Sequence, residues 1–310
     1  MKRENLSKME LKNKKALGID IGGTQSKIGI VQYGGKILDS FTVNQAPNIS
    51  PKELFGKISK EINERKWTFN AAGVSIAGTV EQSSGKLIFS PNLYWKNINI
   101  KKYLQDFTGK KVIIENDANS AAWGAYCVEF KTKIKDLVCI TLGTGVGSGL
   151  IFGGKIYRGS YGSAGELGHM TIDPLGKNCN CGNRGCLETF VGANYLTQNA
   201  QIKMGEKFTP VELHTLAKKG NKPAIEIFKE MGKYLGIAVA NVVNLLNPKI
   251  VLFTGGLAGN KEFFIDDVIL TVRKRAMWPN SCQTKILVSK MAQGMGIIGA
   301  ACLALYPAND

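Results

Sequence analysis

Four side chains with metal-ligand chemistry fall close together in a chain that has only two His and seven Cys among its 310 residues. They are His169, Cys179, Cys181 and Cys186, and a Cys₃His set is complete for tetrahedral Zn²⁺. A full complement of protein ligands leaves no position for water, so the predicted role is structural. Clustered cysteines of odd total number favour metal binding over a disulfide framework. Gly182 and Gly185 supply the tight turns that a compact knuckle needs; a group of reduced surface thiols is the alternative. His214, Cys127, Cys139, Cys282 and Cys302 read as ordinary surface or core residues.

The candidate acid and base groups lie around this knuckle and ahead of it. Asp117 follows Asn116 after an apolar strand and precedes an Ala-rich helical stretch, and a helix N-terminus favours a carboxylate. Such a base can take a hydroxyl proton as the hydroxyl attacks a phosphoryl group, or it can be a plain N-cap. Asp20 closes an apolar strand and is able to orient Mg²⁺. Glu166 and Glu188 bracket the knuckle, where a rigid metal site would fix both carboxylates to accept hydrogen bonds from a polyol; surface charge is the alternative. Asn92 offers a further hydroxyl partner, or is simply a loop asparagine.

Glycine-turned strands must position these groups. Residues 16–31 (ALGIDIGGTQSKIGIV) predict a β-hairpin, and CITLGTGVGSGLIF from Cys139 repeats its build, which suggests internal duplication. No G-x-x-x-x-G-K-[ST] is present, and the alternate glycines at 143–149 do not fit the G-x-G-x-x-G dinucleotide spacing. Two hairpins whose backbone N–H groups can approach an anion remain, and with Asp20 they point to nucleotide phosphates. Residues 249–259 predict a buried strand opening into a glycine loop. Apolar residues at Ile227, Phe228, Met231, Leu235, Ala238, Val242, Leu245 and Leu246 predict a core helix from Pro223 to Asn247. Ala71–Ala77 and Lys111–Glu115 predict strands, and Ala118–Val128 a helix. Strands and helices alternate, so the class is α/β.

Composition excludes disorder and small disulfide scaffolds, with 44% hydrophobic residues over 310 positions. The net charge of +16 comes from Lys and Arg spread through the chain, whereas polyanion binding needs a focused patch, so nucleic acid is not the expected partner. The basic first fifteen residues precede no apolar run of the kind a secretory signal requires, and the apolar stretch 234–246 is too short to cross a membrane. A cytoplasmic protein is expected.

Several of these runs together, in this order, resemble the ROK family of sugar kinases and repressors: DIGGT at 20–24, ENDAN at 115–119, LGTGVGSGLIFGGKIYRG at 142–159, ELGH at 166–169 and CNCGNRGCLE at 179–188. The resemblance spans Ala16 to the C-terminus. It implies a two-lobed actin/hexokinase-like ATPase fold, with sugar and MgATP bound between the lobes, and a homodimer. The expected division is a basic lead-in at 1–15, a smaller lobe at 16–117, a larger lobe at 118–294 carrying the knuckle 169–186, and a C-terminal helix at 295–310 packed back on the smaller lobe. By resemblance Asp117 is the catalytic base towards the sugar hydroxyl, typically O6 of a hexose. Gly78, Asn92, Asn116, Asp117, Glu166, His169 and Glu188 match sugar-contacting positions. Asp20, Gly22, Gly23 and Thr24, with Gly143, Thr144, Gly145 and Gly147, match the two phosphate loops, and Gly255 and Gly256 the nucleotide-side loop. The expected activity is ATP-dependent phosphorylation of a hexose, most simply glucose. Kinases for N-acetylmannosamine, N-acetylglucosamine or a β-glucoside share this residue set. A sugar-responsive repressor would carry a helix-turn-helix unit, for which the roughly fifteen residues before the first hairpin are too few.

Overall fold

The computed structural model describes residues 12–291 and 294–306; of the basic lead-in, residues 1–11 lie outside the described residues. The chain forms two units. The first takes the described parts of Met1–Ile134, Ile151–Ala164 and Gly294–Asp310, the second Lys135–Leu150 and Gly165–Gln293.

In the first unit, strands β1 (Lys15–Ile21), β2 (Gln25–Gln32), β3 (Lys36–Asn44), β4 (Ala71–Ile76) and β8 (Lys111–Asn116) form one sheet in the order β3-β2-β1-β4-β8. β1 pairs antiparallel with β2 and parallel with β4, which pairs parallel with β8. A small sheet adds β5 (Thr79–Glu81), β6 (Lys86–Ser90) and β7 (Trp95–Ile98). Leu17, Ile19, Val74, Ile76 and Ile114 pack with Leu54, Phe55, Ile58 and Ile62. The last four recur at helical spacing on Pro51–Glu64, which starts at a Ser50 cap with proline in the first turn. Ala16 and Val31 pack instead with Ile297, Ala301 and Leu305 of the helix Met295–Leu305. That helix lies very close to the sheet: a Cβ at Gly73 of β4 would stand 1.7 Å from the Ala300 carbonyl oxygen.

The second sheet comprises β9 (Leu137–Leu142), β10 (Val146–Phe152), β11 (Lys155–Tyr157), β12 (Ile250–Thr254) and β13 (Lys285–Val288), in the order β11-β10-β9-β12-β13. Both sheets therefore run third, second, first, fourth, fifth. The long helix Lys222–Leu246 starts at the Asn221 cap and ends at Asn247, whose φ is +42°. Ile227, Phe228, Met231, Leu235, Ala238 and Val242 are buried on it, but Leu245, in the last turn and assigned to the same face by spacing, is 82% exposed.

The lobe boundary read at Asp117/Ala118 falls inside the first unit. The helix Asp117–Gly124, continued by a π turn at Ala125–Glu129, packs on Met295–Leu305, with Gly124 so close to Gly299 that a Cβ would stand 2.8 Å from its Cα. This contact between residues 175 positions apart keeps the helix with the first sheet, and no local composition change marks it.

Candidate functional site

Within the first unit, the ends of β1, β4 and β8 bring Asp20, Gly78 and Asn116 into one neighbourhood. Asp20 stands opposite Lys27 on β2 and Ser75 on β4. Its carboxylate rests on the first turn of Met295–Leu305, where a Cβ at Gly296 would meet Oδ2. Burial pushes the Asp20 carboxyl up to about 6, and the negative charge of Asp117 adds to the shift, while the Ser75 hydroxyl and Lys27 oppose it. Gly22, Gly23 and Thr24 form the β1–β2 turn, closed by the Gly22 N–H donating to the Gln25 carbonyl at 3.0 Å. Gly23 lies under Asn92, whose Cβ would be 3.1 Å from a Cβ there, so the turn and the Asn92 loop fix each other. Gly78 has φ +155° and faces the Phe89 carbonyl at a distance that no Cβ would allow.

Asn116 is the cap of the Asp117 helix. Its Oδ1 accepts from the N–H groups of Ala118 and Asn119 at 2.9 and 3.2 Å, and its Nδ2 donates to the Gly78 carbonyl at 3.3 Å. Asp117 is thus the first helical residue and is relieved of capping. It keeps solvent access, yet the protein packed around it solvates its charge poorly, and this raises its pKa above the usual carboxylate range against the pull of nearby backbone N–H groups and Asn116. Sequence reasoning gave Glu115 no part. It is buried, its Oε2 accepts from Arg158 Nε at 2.8 Å, and its Oε1 accepts from Asn116 N and Asn119 Nδ2. The charged residue beside the Asp117 cap is therefore held from a segment 43 positions away.

In the second unit, ligand atoms of His169, Cys179, Cys181 and Cys186 all lie within 4.8 Å of one another. Cys179 Sγ is 3.7 Å from His169 Nδ1, and Cys181 Sγ is 3.6 Å from Cys186 Sγ. Ligands at Zn–S and Zn–N bond lengths of about 2.3 and 2.1 Å in a tetrahedron are separated by distances of this size, so the residues fit zinc. Gly182 and Gly185 have φ of +90° and +69°, and a Cβ at Gly185 would strike the Asp173 carbonyl. Glu166 is exposed and precedes the 3₁₀ turn Leu167–His169. Glu188 follows the knuckle by two residues, and its Oε2 accepts from Val146 N at 2.8 Å while covering Gly145. Thr144, Cys179 and Glu188 line one cavity of 170 Å³, which joins knuckle, carboxylate and glycine turn.

A second cavity, of 420 Å³, is lined by Gly143 and Thr144 of the β9–β10 turn, by Gly256 and Leu257 after β12, and by Pro210, Val211 and His214. The two glycine segments assigned to nucleotide thus meet. Gly255, at φ +90°, makes the sharp exit from β12 against the Leu142 carbonyl; Gly147 lies within β10. His214, read as ordinary, has a buried Nδ1 without a partner among the described residues and sets its ring edge against Phe263. Nothing in the sequence around His214 signals its place in the cavity.

The family model described as "ROK family" matches residues 16–306. The glucokinase of Streptomyces coelicolor is 29% identical, with 94% of this chain and 98% of the relative covered. The xylose repressor of Caldicellulosiruptor bescii is 28% identical over 93% of this chain and 77% of its own length. Among solved structures, a ROK family glucokinase from Streptomyces griseus in complex with glucose and AMPPNP superposes with a TM-score of 0.82 at 28% identity, over 93% of this chain and 98% of that one.

Proposed function

This chain belongs to the ROK family, and from that membership we propose that it transfers the γ-phosphoryl group of MgATP to a hexose hydroxyl, O6 of glucose. The observation that carries the reading is Asp117, released from capping by Asn116, open to solvent at the head of its helix, and made more basic by the protein packed around it. In the proposed step the Asp117 carboxylate accepts the hydroxyl proton, the sugar oxygen forms the new O–P bond, and the bond from the γ-phosphorus to the β–γ bridging oxygen breaks to release ADP. Positioning contributes much of the rate in such transfers. Asn92, Asn116, Gly78, Glu166, His169 and Glu188 hold the sugar; Gly22–Thr24 and Gly143–Gly147 cradle the phosphates, and Gly255 and Gly256 face the nucleoside. The 420 Å³ cavity between the last two glycine segments supports that assignment, with an apolar wall at Val211 and Leu257 suited to a base. Asp20 would hold Mg²⁺, which neutralises phosphate charge. Zinc would serve structure, fixing the segment that ends in Glu188. The same reading takes the protein as a cytoplasmic homodimer; among the described residues no helix is long and apolar enough to cross a membrane.

The test is ADP release with MgATP against glucose, N-acetylmannosamine, N-acetylglucosamine and cellobiose. Turnover on glucose, reduced about 10²–10⁴-fold or more by Asp117→Ala, is the expected result. Turnover on an N-acetylhexosamine instead would move the substrate within the family. The similarity to a xylose repressor supports a second reading, a sugar-responsive regulator; sugar binding without turnover in the wild type would favour it.

A further inference from the structure

The first unit contains a third cavity, of 650 Å³, away from every residue assigned above. β8 is the last strand of its sheet, and its residues Lys111–Ile114 form one wall. The β5–β6 turn contributes Gln82, Ser83 and Gly85; the helix Ile100–Thr108 contributes Lys101 and Gln105; Ile156, Arg158 and Leu303 complete it. The volume is that of a small-molecule site.

The lining sorts into two chemistries. Of the apolar lining, Val112, Ile114, Ile156 and Leu303 are already covered by the fold, and Ile113 is the half-buried apolar side chain among them. Lys101, Lys111 and Arg158 are cationic, Gln82 and Ser83 can donate hydrogen bonds, and no carboxylate is among the described residues that line the space. Neither lysine has a carboxylate within ion-pair distance among the described residues, and the Lys101 stem is pressed against Gly85, where a Cβ would stand 2.6 Å from it. Gln82 Nε2 is buried without a hydrogen-bond partner among the described residues. A buried donor of this kind costs free energy unless something accepts from it. Two lysines without an ion-pair partner among the described residues and an orphaned donor, with Arg158 held by Glu115 beside them and Ile113 half-buried between, select an anion with a hydrocarbon body.

We propose that this cavity binds a small amphiphilic organic anion, with a phosphoryl or carboxylate head on Lys101 and Lys111 beside Arg158 and Gln82, and an apolar body against Ile113. Binding there reaches the Asp117 helix through Arg158. Arg158 donates to Glu115, and Glu115 accepts from both Asn116 N and Asn119 Nδ2. An anion that shares the Arg158 guanidinium draws it from Glu115 and loosens the seat of the cap residue, so the ligand acts as an inhibitor. The binding part stands by itself; the inhibitory part rests on the kinase reading.

Calorimetric titration of the full chain with hexyl phosphate, hexanoate, inorganic phosphate and hexanol tests the binding. Hexyl phosphate or hexanoate is expected to bind more tightly than either phosphate or hexanol, and whichever anion binds names the head group. The variants Lys101→Gln and Lys111→Gln, which touch neither sugar nor nucleotide residues, should each weaken binding about tenfold, the equivalent of losing one charge-assisted hydrogen bond. No binding by either amphiphile, equal binding of hexanol, or unchanged affinity in both variants would overturn the site. With binding established and wild-type turnover in hand, a kcat unaffected by saturating ligand would overturn the inhibitory link alone. Absence of turnover on any sugar, with binding intact, would count against the kinase reading and leave the site standing.

Discussion

Asp20 and Asp117 are two carboxyls that the surrounding protein solvates poorly, which makes charging them costly, and the second adds its field to the first. Replacing Asp117 by Asn removes that field and leaves burial, the larger cause. The Asp20 pKa should then fall below about 6 while staying above its ordinary 3.8. Carbon-13 NMR titration of the Asp20 carboxyl in wild type and Asp117→Asn reads this directly; an unmoved midpoint would mean that the two groups do not sense each other. The raised pKa also fixes a sign for stability. The folded state takes this proton more readily than the unfolded chain, so the contribution is fully present below about pH 4 and is lost as pH rises through about 6. Urea midpoints of nucleotide-free protein between those limits should show that slope, and Asp20→Asn should reduce it, leaving the part of the same sign that Asp117 contributes. The sequence left Asp117 as either a base or a plain N-cap; Asn116, whose side chain turns onto the N–H groups of Ala118 and Asn119, takes the capping role.

The Cys₃His knuckle is a small element whose four donors fit zinc, and a bound metal would do the work that a hydrophobic core is too small to do. Its strands are isolated bridges, Thr171 with Cys186 and Asn178 with Arg184, and Leu187 N donates to the Met170 carbonyl at 2.9 Å. Purified protein should carry one zinc per chain by elemental analysis. Stripping it with a strong chelator should lower the thermal midpoint and raise the KM for sugar more than that for ATP, because Glu188 and His169 lose their frame. A metal-free protein with an unchanged midpoint would show the four ligands to be plain thiols and imidazole. The helix Met295–Leu305 sets the opposite case, an element fixed by the smallness of its neighbours. Gly73→Ala drives a Cβ into the Ala300 carbonyl and should destabilise by about 1–3 kcal/mol or more, as overpacking does. Gly56, inside Pro51–Glu64 with open space around it, is the control: Gly56→Ala should stabilise by about 1 kcal/mol. Urea unfolding of the two variants measures both signs.

At the scale of the molecule, two sheets share one strand order, each led by a glycine-turned hairpin. The similarity of GIDIGGTQSKIGIV to CITLGTGVGSGLIF showed in the sequence because strand alternation and glycine turns are short-range signals. The order of the outer strands did not show, since pairing of β4 with β8 or of β12 with β13 joins segments separated by whole helices. The net charge of +16 is likewise a sum without an address; the fold gathers Lys101, Lys111 and Arg158 around one cavity.

The sequence by itself determined the α/β class, the hairpins, the Cys₃His donor set and the carboxylate at the head of a helix, because each depends on residues within a few turns of chain. Tertiary structure alone decided that Glu115 answers to Arg158, that Gly143 and Gly256 share a cavity with His214, and that the Asp117 helix stays with the first sheet. Those outcomes depend on which distant surfaces fit closely enough to exclude water and satisfy buried polar groups. That fit is a property of packed shapes, and no local spacing of residues encodes it.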